Sequence, residues 1–256
     1  MAEAVPFVFI LGLIIGSFLN VVALRWDTGS SISGRSKCPH CGKKLSWYEL
    51  VPVLSFIFLR GKCFSCKKPI SLQYPLIEIF TGLVFATLYP AFGLTTYYLL
   101  LTTVFSIYIV ILIYDFHHKI IPDALVYSAI ALSFLYALLN LQTYQPIDLL
   151  AGPIIFLFFA LIWLVSRGRA MGFGDAKLGL SIGWLLGAET GFSAIILSFW
   201  IGAGIMLLIM LFSRFSGLFN ASKKLTMKSE IPFAPFMILG AWISLIYDLN
   251  LFIIMQ

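Results

Sequence analysis

Long apolar runs alternate with short polar breaks along the whole chain. A helix that crosses a bilayer needs about 20 mainly apolar residues, because the hydrocarbon core is about 30 Å thick. Eight runs reach or approach that length: about Val5–Leu24, Tyr74–Ala91, Thr95–Tyr114, Pro122–Leu141, Leu149–Val165, Lys177–Leu186, Phe192–Phe212 and Pro232–Ile254. The sixth is short. The pattern predicts an all-α polytopic membrane protein of about eight transmembrane helices, with both termini on one face.

Composition agrees with the pattern. The 256 residues are 61% hydrophobic and only 11% charged, with a mean hydropathy of +1.00, whereas a soluble domain carries about 25% charged residues. Apolar runs that recur throughout exclude a single anchor or a cleaved signal peptide as their source.

The basic residues then orient the bundle. Of the 17 Lys and Arg, 16 fall in the segments after spans 1, 3, 5 and 7, Lys223, Lys224 and Lys228 among them, and Lys177 opens span 6 on the same side. The opposite loops, around Pro90-Ala91, from Asn140 to Asp148 and from Ala188 to Gly191, contain none. By the positive-inside rule the basic segments are cytoplasmic and both termini lie outside. The net charge of +6 therefore expresses topology and contact with anionic lipid headgroups, not a nucleic-acid surface.

One polar segment is too long to be a simple loop. Between Arg25 and Ser71 lie Cys38-Pro39-His40-Cys41 and, after 21 intervening residues, Cys63-Phe64-Ser65-Cys66. Paired CxxC knuckles of this kind supply four thiolates to a tetrahedral structural zinc. The cytoplasm is reducing, which argues against two structural disulfides there. Lys37, Lys43, Lys44, Lys62, Lys67 and Lys68 offset the thiolate charge. Four cysteines fill a closed zinc shell, so His40 is a bystander. A segment of this size has little core of its own, and a metal would hold it together. The domain reading is residues 1–24 as the first transmembrane helix, 25–73 as a cytoplasmic four-cysteine zinc-type insert after it, and 74–256 as the remaining membrane domain.

Acidic side chains number only 11, so each one near the membrane asks for a reason. Asp115 ends span 3 after the apolar run Leu101–Tyr114, and Asp175 stands at the cytoplasmic mouth of span 6 in Gly172-Phe173-Gly174-Asp175-Ala176-Lys177. The topology puts both on the same face. Asp175 alone reads as an ordinary helix cap. Asp115 opposes the dipole at a helix C-terminus, which a pair with Lys119 only partly offsets. Asp123, after Pro122 at the start of span 4, is a favourable first-turn anion. Glu78, one turn inside span 2, reads equally as a partner of an insert lysine or as functional. Gly12 and Gly16 allow close helix contact, and Asn20 needs a partner inside the bundle. His117 and His118 read as interfacial residues. Pro232 and Pro235 break the start of span 8 and can shape a backbone that reaches the site.

Two carboxylates sharing one water cannot both ionise easily. One remains protonated and polarises a scissile carbonyl, while the other draws a proton from water, the division of labour of an aspartic protease. The two ionisations belong to the pair. Peptide hydrolysis by Asp115 and Asp175 is thus the leading chemistry.

The same residues carry a resemblance. Asp115, Ile121-Pro122-Asp123 and Gly172-Phe173-Gly174-Asp175-Ala176-Lys177 resemble the type IV prepilin peptidases, membrane aspartic proteases of the GxGD class. Gly16-Ser17-Phe18-Leu19-Asn20 with Arg25, both CxxC pairs, Glu49-Leu50-Val51-Pro52-Val53, Ile70-Ser71 and Tyr74-Pro75 with Glu78 extend the likeness over most of the chain. Pro232-Phe233-Ala234-Pro235-Phe236 is similar to the family's C-terminal motif, with Ala234 where glycine is more usual. The resemblance implies that Asp115 and Asp175 are catalytic, supported by Gly172, Gly174 and Lys177, in a bacterial cytoplasmic membrane. It implies prepilin or pseudopilin substrates that lose a short basic leader after a glycine. It also implies N-methylation of the new terminus with S-adenosylmethionine, an activity no feature of the residues themselves indicates. Two other readings compete: an intramembrane aspartic protease with another substrate, and a non-catalytic assembly or transport protein. The second is disfavoured because the key acids sit at cytoplasmic ends rather than at the midplane.

Overall fold

The computed structural model of the chain describes residues 2–26, 34–143, 145–215 and 232–251. Lys223, Lys224, Lys228 and Ile231 lie outside the described residues. The described chain is helical, with isolated bridges only in the polar insert. Its helices are α1 (Val5–Arg25), the short α2 (Leu54–Phe58), α3 (Gln73–Phe92), α4 (Thr96–His118), α5 (Asp123–Leu139), α6 (Pro146–Ser166), α7 (Phe173–Phe215) and α8 (Ala234–Tyr247). Five stretches are long and apolar enough to cross a membrane: α1, α3, α4, α6 and Phe173–Leu211 of α7. Two further apolar helices, α5 and α8, are shorter. The protein is a multi-pass membrane protein.

The chain divides into two compact units, Met1–Tyr114 and Asp115–Gln256. In the first, α1 packs on α3 through small residues. A Cβ on Gly12 would lie 2.7 Å from the Gly82 Cα, and one on Gly16 2.8 Å from the Glu78 Cα. The spacing of these glycines thus sets a backbone-to-backbone contact, as small residues do between membrane helices. Asn20, fully buried, finds its partners here, donating to the Gly16 and Tyr74 carbonyls at 3.3 and 3.4 Å. Tyr98 closes the other end, its hydroxyl donating to the Phe85 carbonyl at 3.2 Å.

In the second unit α7 is the central element, packing against α5, α6 and α8. It is one helix only in name. Gly187 has φ 78° and ψ −171°, outside the helical region. A Cβ on Gly191 would lie 3.5 Å from the Gly183 Cα, whereas eight residues of unbroken helix would span about 12 Å. The chain therefore doubles back at Gly187, and the two halves correspond to the sixth and seventh apolar runs. Asp148 fixes the turn, accepting from the Ala188 N–H through Oδ1 and the Gln145 N–H through Oδ2, both at 2.8 Å. Gly183 meets Gly152 of α6 so closely that a Cβ would lie 2.6 Å from its Cα.

Within the last apolar run, expected over Pro232–Ile254, α8 ends at Tyr247, and the run's final three residues lie outside the described residues. Asp248 adopts a left-handed conformation (φ 46°) and terminates α8. Asn250 then donates to Glu189 at 2.7 Å and the Leu251 N–H to Ser193 Oγ at 3.0 Å. Polar tethers, invisible to hydropathy, draw the chain out of the helix.

Candidate active site

Asp115 lies in the last turns of α4 and Asp175 in the first turn of α7. The fold brings these residues, 60 apart in sequence, to the wall of one cavity of about 930 Å³. Both side chains belong to buried residues, 5% and 8% exposed, and the Asp115 charge acts on Asp175. Phe173, Phe199, Phe233 and Phe236 supply the apolar part of the wall.

Each carboxylate is held by backbone and leaves capacity for more. Asp175 is the third residue of α7, and its Oδ2 accepts from the Gly172 N–H at 3.2 Å. This is the carboxylate half of a capping box, reaching back to the residue before the helix. The two motif glycines differ in purpose. Gly172 supplies that N–H, while a Cβ on Gly174 would lie 2.8 Å from the Ile121 Cβ, so Gly174 admits the chain that follows Asp115.

Asp115 accepts from the Ala234 N–H at the start of α8. The positive end of that helix supplies what the C-terminal end of α4 cannot. Asp115 Oδ2 is buried and has no hydrogen-bond partner among the described residues. An oxygen in that state loses solvation without a protein bond in return.

Lys177 borders the same cavity but is engaged elsewhere. Its Nζ donates to Asp123 Oδ1 at 2.5 Å and lies 4.7 Å from the Tyr127 ring centre and 5.5 Å from that of Phe173. The Lys177 side chain is 13% exposed and that of Asp123 69%.

The cysteines form a separate cluster in the first unit. One sulfur from each of Cys38, Cys41, Cys63 and Cys66 lies within 4.8 Å of the others, and Cys38 and Cys66 are 3.9 Å apart. Four zinc–sulfur bonds of about 2.3 Å in a tetrahedron require about 3.8 Å between sulfurs, so the residues fit the ion. Both knuckles share one backbone pattern. The Cys38 N–H donates to the Lys43 carbonyl and the Gly42 N–H to Cys38; in the other knuckle Cys63 pairs with Lys68 and Lys67 in the same way. Gly42 and Lys67 occupy equivalent left-handed positions. Backbone N–H groups of Cys66 and Ser65 hold the Cys63 thiol down to about 6, and those of Cys41 and His40 lower Cys38. A thiol held towards thiolate is prepared for a cation. Glu49 is capped by the Ser46 N–H at 2.8 Å and paired with Lys43 at 3.1 Å, which fastens the first knuckle to the turn Trp47–Leu50.

Two family descriptions match the chain. Residues 10–92 match the family description "Bacterial Peptidase A24 N-terminal domain", and residues 101–208 match the "Type IV leader peptidase family". A prepilin leader peptidase/N-methyltransferase of Bacillus subtilis is 33% identical over 249 residues, covering 93% of this chain and 92% of that protein. The chain belongs to the type IV leader peptidase family. Another member, from Aeromonas hydrophila, is 31% identical over 94% of this chain and 89% of its own length. The Myxococcus xanthus member is 38% identical over 70% of this chain, which spans 56% of that longer protein. No solved structure matches the chain.

In this leader peptidase family chain, the region matched as peptidase holds Asp115, Gly172, Gly174, Asp175 and Lys177, and the N-terminal region holds all four cysteines. Sequence reasoning missed two contributors. Ala234 acts through its backbone, so its side chain carries no signal; only the flanking Pro232 and Pro235 hint at a shaped segment. Asp123 was accounted for by its helix position alone, but its partner Lys177 lies 54 residues away. Glu78, which the sequence leaves equally open as a lysine partner or as functional, accepts from the Val53 N–H at 2.8 Å and from Ser17.

Proposed function

We propose that this protein is a prepilin leader peptidase that cleaves by activating water between Asp115 and Asp175, and that it also N-methylates the new terminus. The observation that carries the reading is the shared cavity: two scarce, buried carboxylates line it, one with an oxygen left unpartnered. The relatives' name, prepilin leader peptidase/N-methyltransferase, supports both activities.

The substrate carbonyl sits against the protonated carboxyl, which donates to its oxygen. The ionised carboxylate takes a proton from the water as that water attacks the carbonyl carbon. The proton then passes to the leaving amine, the C–N bond breaks, and the pair returns to one shared proton. Burial among Phe199, Phe233 and Phe236 limits competing water, and the backbone donors Gly172 and Ala234 hold the carboxylates without titrating. Gly172 and Gly174 support the geometry, and Lys177, tied to Asp123, steadies the start of α7.

A structural zinc held by Cys38, Cys41, Cys63 and Cys66 organises residues 25–73 into a domain; residues 74–256 form the peptidase domain and residues 1–24 the first span. S-adenosylmethionine, when bound, supplies an electrophilic methyl group. The chain takes eight spans, counting α5, α8 and both halves of α7. Both termini lie outside, with the catalytic residues and the zinc insert facing the cytoplasm of a bacterial cell. Substrates are prepilins or pseudopilins.

Coexpression with a prepilin, read by intact mass, tests this. Wild type is expected to remove the leader and add one methyl group, and Asp175→Asn to leave the prepilin whole. Leader removal by Asp175→Asn would overturn the mechanism.

A further inference from the structure

The first unit contains a cavity that peptide cleavage does not use. It measures about 320 Å³ and lies between the cytoplasmic ends of α1 and α3 and the cysteine knuckles. That is the lower end of the range for small-molecule sites, about 300–1,000 Å³. Phe56, Phe64 and Tyr74 line it, Arg25, Lys37 and Lys68 contribute cationic groups, and Glu78 contributes a buried carboxylate, 6% exposed.

Three observations mark the Glu78 side of this cavity as built for more than packing. Glu78 receives hydrogen bonds from neutral groups, the Val53 N–H and Ser17, so a buried carboxylate is held by dipoles rather than by a countercharge. Val53, which donates, has φ 59° and ψ −50° at the centre of a tight turn closed by the Leu54 N–H on the Pro52 carbonyl. A β-branched residue there is strained, by about 1–3 kcal/mol for such conformations, and strain of this kind collects at functional sites. Finally, Tyr74 on the cavity wall is fixed from behind, its carbonyl accepting from the buried Asn20 amide at 3.4 Å. Among the described residues the Glu78 carboxylate has no cationic partner, and it is an acceptor on the cavity wall. It suits a ligand that brings positive charge and N–H donors.

We infer that this cavity is where the amine freed by leader cleavage is methylated, with Glu78 receiving the ammonium and taking its proton. The inference rests on the proposed methyltransferase activity. Peptide hydrolysis yields a terminal ammonium, which cannot attack until it loses a proton. Glu78 accepts that proton, leaving a neutral amine. The amine lone pair forms a bond to the methyl carbon of a methylsulfonium donor as the S–C bond breaks, its electron pair going to sulfur. The products are a methylated ammonium and a neutral thioether, and Glu78 returns its proton to solvent. Lys37 and Lys68 at the exposed side suit a carboxylate on the donor, and the aromatic faces suit a flat ring system.

The test uses the full-length protein in detergent, a prepilin, and two variants, each read for leader loss and methyl mass on the same product. Glu78→Gln keeps the hydrogen bond from Val53 but cannot take the proton. It is expected to cleave within about threefold of wild type and to methylate at least about 100-fold more slowly, the scale of a lost general base. Ser55→Trp adds bulk to the cavity from a lining position other than Glu78. It is expected to cleave normally, lose methylation and weaken binding of S-adenosylhomocysteine, measured by calorimetric titration, at least about tenfold, whereas Glu78→Gln retains that binding. Methylation by either variant near the wild-type rate would overturn the siting while leaving the two activities in place. Should Glu78→Gln lose cleavage as well, Ser55→Trp decides. A wild type that cleaves but never methylates would remove the inference together with the methyltransferase reading, leaving the peptidase reading intact.

Discussion

Gly183→Ala places a methyl group where the structure has no room, and the consequence can be worked through. The added Cβ would stand 2.6 Å from both Cα and N of Gly152 and 2.8 Å from the Ala151 carbonyl carbon. Carbon atoms pack at about 3.5–4.0 Å, so α6 and the first half of α7 must separate by about 1 Å. The obstacle is backbone, which cannot rotate away as a side chain would. Overpacking of this kind costs about 1–3 kcal/mol. Asp175 rides on the displaced helix, and a misplacement of about 1 Å can cost about 100-fold in rate. Gly204→Ala is the control, since nothing lies within 4 Å of its Cβ position. Alanine there should be neutral or stabilising by up to about 1 kcal/mol. The assays are thermal unfolding in detergent and initial rates of prepilin cleavage. Gly183→Ala with wild-type stability and a rate within twofold would refute the close-packed account of α7.

The turn at Gly187 depends on Asp148, so Asp148→Ala should cost about 1–3 kcal/mol in the same unfolding assay, the scale of lost cap bonds to Ala188 and Gln145. An unchanged midpoint would contradict that. Elemental analysis should find about one zinc per chain, and Cys63→Ser should lower the metal content; full metal retention in that variant would exclude Cys63 as a ligand. The Lys177–Asp123 pair has one exposed partner, so a double-mutant cycle with Lys177→Met and Asp123→Asn should give a coupling of only about 0.2–1 kcal/mol. A larger value would mean that the pair is better shielded in the membrane than its exposure implies.

Hydropathy made the helices legible because bilayer thickness imposes a length on every span. Gln73–Phe92 lies within a residue of the expected Tyr74–Ala91 at either end. The same signal does not mark the end of α8 at Tyr247, beyond which Asn250 and Leu251 bond to Glu189 and Ser193, 61 and 58 residues earlier, contacts that an averaged window cannot register. The two CxxC pairs announced their cluster because ligand spacing is set by coordination geometry. Asp115 was legible as an anomaly, a carboxylate at the wrong end of a helix. Its remedy was not, because the Ala234 N–H is supplied by backbone 119 residues later. Glu78 was ambiguous for the same reason: its partner is the N–H of a strained turn at Val53, a conformation no residue type signals.

The central claim is that Asp115 and Asp175 act together on one water. Its most direct test compares purified wild type, Asp115→Asn and Asp175→Asn for cleavage of one prepilin at equal concentration, with thermal unfolding confirming that all three are folded. Each Asn variant should lose at least about 1,000-fold in rate, within the range for a lost acid–base group, with the unfolding midpoint preserved. A folded Asn variant that retains a tenth or more of the wild-type rate would contradict the account.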